Sequence, residues 1–189
     1  MANSRSRKFA SLIISLVALA ALVLVIAGIR AVPASADDAS PFKVLTPDQL
    51  KDLITSNKGK VVYLNFFATY CVPCQAEFPD IVKLQKMYGP KGLQVIEVSM
   101  NDHTDPSDIA AMTKYLNHMQ PPFPVYIASA VDDSFYSGVD PKWEKDGEAL
   151  PMTTIYDRNG NPAHYYVKAL NLQQMEQDVK PLLASGASQ

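Results

Sequence analysis

The only two cysteines of this chain, Cys71 and Cys74, stand two residues apart in "FFATYCVPCQAEFP", residues 66–79. Three chemistries compete for such a pair. As a staple it closes so short a loop that little entropy is taken from the unfolded chain. As half of a structural zinc site it lacks partners, because four ligands are needed and His103, His118 and His164 lie singly on other segments. A two-thiolate Cu(I) site remains an alternative, since Cu(I) accepts soft ligands at low coordination number. The chain is then a Cu(I)-binding metallochaperone with Cys71 and Cys74 as ligands, although the flanking Tyr70, Val72, Pro73 and Gln75 include no Met or His. The leading reading is a dithiol reagent, which needs no cofactor beyond its own redox-active Cys71–Cys74 disulfide.

That reading depends on the elements that carry the cysteines. "KVVYLNFFA" is a mostly apolar run of the length and composition of a central strand buried on both faces. Phe78, Ile81, Leu84 and Tyr88 then recur at helical spacing until Gly89-Pro90, with a kink expected at Pro79. Cys71 thus falls where a strand hands over to a helix, facing free N–H groups and the positive end of the helix dipole. Both effects stabilise thiolate, which marks Cys71 as the nucleophile. Cys74, one turn inside, is the resolving thiol. Pro73 removes one N–H donor near the Cys71 sulfur, so the Val-Pro pair leans toward a reductase.

Around this core unit, Thr46-Pro47-Asp48-Gln49 predicts a helix start and Asn57-Lys58-Gly59 its end. "LQVIEVSM" (93–100) predicts a second strand, 105–119 an amphipathic helix, and 125–128 a short strand. The stretch 129–149, which holds Trp143, is expected to be mostly loop. Two β-rich runs around Asn159-Gly160 predict a hairpin, and Asn171 with Gln174 a last helix to about Leu183. The order describes an α/β fold with helices on both faces of the sheet.

At this point the residues resemble a known family, the exported thioredoxin-like thiol-disulfide proteins of the TlpA/ResA type, over roughly residues 42–184. "VVYLNFFATYCVPCQAEFP" is similar to the family's first signature and "LPMTTIYDRNGN" to its second. The resemblance implies a thioredoxin-like mixed sheet, with Cys71 attacking, Cys74 resolving and Glu77 as the nearby acid. It also implies a cis Pro151 against the cysteines, and Leu150 offering backbone bonds to a partner. Tyr70 stands where the family usually has Trp, at a substrate-contact position. Asn65 replaces the buried acid of cytoplasmic thioredoxins and cannot exchange protons, which leaves Glu77, one turn past Cys74, as the acid-base group. No other acid lies within one turn of Cys74, and Asp80, six residues on from it, is expected to face elsewhere.

The first 36 residues differ in kind. Arg5, Arg7 and Lys8 precede an uncharged run at residues 9–29, and Ala34-Ser35-Ala36 follows. This is an export signal cleaved after Ala36, or an anchor, the run being long enough to span a bilayer. The positive flank places the remainder on the periplasmic or extracytoplasmic face. Expected divisions are a signal or anchor at 1–36, a linker at 37–45, a thioredoxin-like domain at 46–184 and a tail at 185–189. Setting Arg5, Arg7, Lys8 and Arg30 aside leaves 13 basic against 19 acidic residues, which gives nucleic acid no purchase. Expected partners are proteins with disulfides or thiols, such as apocytochromes or copper-site proteins, an upstream membrane electron donor, and the membrane through the N-terminal helix.

Overall fold

Seven residues in succession, Val61–Phe67, form the central strand β2, buried at every position. Because side chains alternate across a strand, β2 must be covered twice. Val61, Tyr63 and Phe67 enter one hydrophobic cluster, and Val62, Leu64 and Phe66 enter another. In the computed structural model, which describes residues 41–146 and 149–185, these clusters are the two layers of a mixed sheet. The expected 9–29 anchor, the cleavage point after Ala36 and residues 37–40 of the expected linker lie outside the described residues. Among the described residues no helix is long and apolar enough to cross a membrane.

The remaining strands are β1 (Val44–Leu45), β3 (Leu93–Ser99), β4 (Val125–Ala128), β5 (Met152–Tyr156) and β6 (Pro162–Tyr166). They lie in the order β1-β4-β3-β2-β5-β6. The first four pair in parallel, and β5 and β6 are antiparallel additions on the other side of β2. The helices are α1 (Pro47–Ser56), α2 (Val72–Tyr88), α3 (Pro106–Met119), α4 (Asp133–Val139) and α5 (Leu172–Ala184). Residues of α2, α3 and α5 cover one face of the sheet, and residues of α1 and α4 cover the other.

Local chemistry explains most boundaries. Thr46 with Gln49, and Asn171 with Gln174, form complete capping boxes at the starts of α1 and α5. The β5–β6 turn closes with Gly160 N–H donating to the Asp157 carbonyl at 3.0 Å. Gly160 there has φ of 83°, a conformation that favours glycine. Pro79 lies inside α2 without ending it.

Two expectations are corrected. Val44–Leu45, counted with the linker, is an edge strand in register with Ile127 and Ala128. The 129–149 stretch is mostly structured, with α4 followed by a 3-10 turn at Pro141–Asp146. Its Asp- and Ser-rich sequence reads as loop because its order comes from tertiary contact rather than from propensity. Asp132 caps α4 by accepting from the Ser134 N–H at 2.9 Å, and Phe135, Tyr136 and Trp143 are buried. The Trp143 ring meets Phe66 edge-on at 5.6 Å and stacks on Tyr165 at 6.2 Å. Trp143→Ala is expected to lower the unfolding free energy by about 3 kcal/mol, read by urea denaturation. A loss within about 0.5 kcal/mol would assign the segment to the surface.

Candidate functional site: the dithiol at the start of helix α2

β2 ends at Phe67, and after the short loop Ala68–Tyr70 the chain turns into α2 with Cys71 as its N-cap. The cap atom is sulfur: the Cys74 N–H donates to Cys71 Sγ at 3.2 Å. Pro73 lies in the same first turn and has no N–H to give. The two sulfurs are joined, with S–S at 1.98 Å. Burial separates them, since Cys71 is half-buried at the surface while Cys74 is only 2 % exposed. Their neighbours Tyr70 and Val72 stand out at 66 % and 74 % exposure.

The loop that delivers Cys71 is held by a residue the sequence did not single out. Asn101, just past β3, accepts from the Thr69 N–H at 3.0 Å and donates to Thr69 Oγ1 at 2.8 Å. Its Oδ1 also accepts from Ser99 Oγ at 2.8 Å. The Met100 N–H donates to the Phe67 carbonyl at 2.8 Å, and the Tyr70 hydroxyl to the Met100 carbonyl at 3.3 Å. Polar groups so buried are costly unless satisfied, so these bonds hold the loop in one conformation.

Beside Cys71 opens a groove of about 330 Å³ lined by Tyr70, Cys71, Pro73, Met100, Val131, Tyr136 and Leu150. It gathers Tyr70 and Leu150 around the surface cysteine, together with Val131 and Tyr136 from the segment expected to be loop. The Leu150–Pro151 peptide is cis, and Pro151 is buried.

Beneath α2 lies a buried polar row. Glu77 is 3 % exposed and accepts from the Tyr63 hydroxyl at 3.3 Å. Burial is the main cause that raises its pKa to about 7, with the charge of Asp80 adding; the Leu170 N–H and the Tyr63 hydroxyl pull the other way. Phe67 and Phe78, whose rings lie 5.3 Å apart, are both buried in the same cluster. Asn65 is paired across the sheet with Thr153 on one side, donating to its Oγ1 at 2.9 Å. On the other side it is paired with Glu97, a fully buried carboxyl on β3. Sequence reasoning left Glu97 unremarked, although a lone acid inside the apolar run "LQVIEVSM" is a visible signal. The expectation that Glu77 has no acid for company fails in both directions: the charge of Asp80, three residues along α2, acts on it, and Glu97 lies across the sheet.

The Redoxin family model matches residues 32–183. Thiol-disulfide oxidoreductase ResA of Bacillus thuringiensis (strain Al Hakam) is 31% identical over 134 residues, which cover 71% of this chain and 68% of that protein. Among solved structures, a thioredoxin-family thiol:disulfide interchange protein from Chlorobium tepidum TLS shares 26% identity at a TM-score of 0.58, covering 68% of this chain and 83% of that one. A putative thiol:disulfide interchange protein DsbE from Chlorobium tepidum shares 26% identity at a TM-score of 0.55, covering 69% and 84%. With its Cys-x-x-Cys pair at the head of α2 in a thioredoxin-like fold, the chain belongs to the Redoxin family and is a thiol-disulfide oxidoreductase of the ResA type.

Proposed function

We propose that this chain reduces disulfides in protein partners outside the cytoplasm, with Cys71 attacking, Cys74 resolving and Glu77 exchanging the proton. The observation that supports it best is the Cys71 sulfur at the helix N-cap, open to a groove, with Cys74 and Glu77 buried beneath. N–H donors and the helix dipole favour Cys71 as thiolate. That thiolate attacks a partner disulfide, the partner's S–S bond breaks, and one partner thiolate leaves and takes up a proton. Cys74 then passes its proton to the Glu77 carboxylate and attacks Cys71 Sγ of the mixed disulfide. The Cys71–Cys74 bond forms and the second partner thiolate leaves. An upstream dithiol donor must restore the reduced state.

Leu150, extended before Pro151, pairs backbone to backbone with the incoming peptide, while Tyr70 and Tyr136 take its apolar side chains. Pro151 presents no N–H to the cysteines, so it neither competes for their proton nor ligates metal. Apocytochromes and copper-site proteins are the partner classes suggested by the resemblance. Residues 9–29 provide the anchor or signal that places the domain outside the membrane.

Pro73 limits the donors to the thiolate, so the couple is expected near roughly −270 mV, as in thioredoxin. A potential above about −160 mV would make the chain an oxidant. Glu77→Gln should shift the thiol titrations and slow insulin reduction; no change in either would remove Glu77 from the exchange. Stability carries a second signature. A carboxyl raised from 4.5 to about 7 binds its proton more tightly in the folded state. The oxidised protein therefore loses stability as pH rises through that window, by roughly 3 kcal/mol in all. Urea denaturation should show that Glu77→Gln removes most of this loss, and an equal slope in both proteins would contradict it.

A further inference from the structure

Glu97 has no part in the exchange described above, yet its burial is costly. A carboxyl at 0 % exposure must find partners or keep its proton. Neither of its oxygens has a hydrogen-bond partner among the described residues. It stands on the sheet face covered by α2, directly across from Asn65. Glu77 Oε2 and the Tyr115 hydroxyl are likewise buried and unpartnered.

Three titratable groups face Glu97: Glu77 from α2, Tyr63 from β2 and Tyr115 from α3. Asn65 and Thr153 complete the row and are neutral. None of the groups acting on Glu77 or Glu97 is a cation. Two carboxyls in one dry cluster without a cation do not both ionise readily; the first charge raises the cost of the second. Glu77 has the hydroxyl of Tyr63 and the N–H of Leu170 to favour its anion, and Glu97 has no such donor. Glu77 therefore ionises first and Glu97 keeps its proton.

We propose that Glu97 is a proton reserve for Glu77, supplying the proton that Cys74 takes up when the disulfide is reduced. The inference rests on the reading of Glu77 as the proton partner of Cys74. When a donor thiolate attacks Cys71 Sγ, the Cys71–Cys74 bond breaks and Cys74 leaves as a buried thiolate. Below about pH 7, Glu77 is protonated and neutralises it directly. Above that pH Glu77 has no proton of its own. Glu97 then gives its proton to Glu77 through one intervening water as Glu77 passes one to Cys74, and Glu97 recovers a proton from solvent. The donor–Cys71 disulfide so formed is broken by the donor's second thiolate, Cys71 leaving as thiolate, so that two electrons come from the donor and one proton, released by the donor's thiols to solvent, ends on Cys74. Glu97 acts through Glu77, which makes it a positioning residue for the proton.

The test is the rate at which dithiothreitol reduces the oxidised full-length protein, as a function of pH. Glu97→Gln should match wild type near about pH 6 and fall about tenfold or more behind near about pH 8.5. Glu97→Asp, which keeps a carboxyl, should recover most of the rate. A wild-type to Glu97→Gln ratio that is flat with pH would overturn the proposal, because a purely structural change has no reason to follow Glu77's titration. If Glu97→Gln does not fold, infrared spectroscopy of the wild type decides. A protonated buried carboxyl that persists near about pH 8 is expected, and its absence overturns the proposal. Glu77→Gln separates the two readings. If that variant is silent, the Glu77 assignment fails; if it slows reduction while Glu97→Gln does not, only the reserve fails.

Discussion

The hydrogen bond from the Cys74 N–H to Cys71 Sγ is the contact on which the rest of the site depends. A helix start leaves N–H groups without partners, and a capping side chain normally answers them with oxygen. Here the answer is sulfur, so the group that completes α2 is also one half of the Cys-x-x-Cys pair. The arrangement requires a strand that ends at the right depth. β2, buried along its whole length, stops at Phe67, and Asn101 fixes Thr69 in the intervening loop. Cys71 is thereby delivered at the surface and Cys74 one turn below it.

That geometry creates an electrostatic problem under α2. Cys74 lies buried in one apolar cluster with Phe67 and Phe78, where a proton lost from its sulfur would leave a poorly solvated charge. In the proposed exchange Glu77 takes up that proton, and burial works against its charged form. The row Thr153, Asn65 and Glu97 across the sheet extends polar chemistry beneath the helix. At Asn65 the chain has a group that can hold a hydrogen bond and not a proton. The second acid lies one strand over, on β3.

Much of this was legible in the sequence because local rules governed it. The capping boxes at Thr46 and Asn171 and the turn at Asn159-Gly160 each depend on neighbours in the chain. The paired cysteines and Glu77 follow from helical spacing. Glu97 was not legible as a site residue, because a strand buried on both faces does not disclose which face each side chain takes. Only the pairing of Asn65 with Glu97 settles it. Trp143 and α4 escaped for a related reason: their order comes from Phe66 and the second core, distant in sequence. Asn101 reads as an ordinary turn residue until the loop it binds is in place.

Alkylation reads the difference in depth and charge between the two cysteines. The reduced protein would be treated with iodoacetamide across a pH series and the modified cysteine identified by mass spectrometry. Cys71 is expected to react first, with a midpoint below the ordinary thiol value of about 8.5, while Cys74 stays protected until the fold opens. Faster modification of Cys74 than of Cys71 would contradict this expectation.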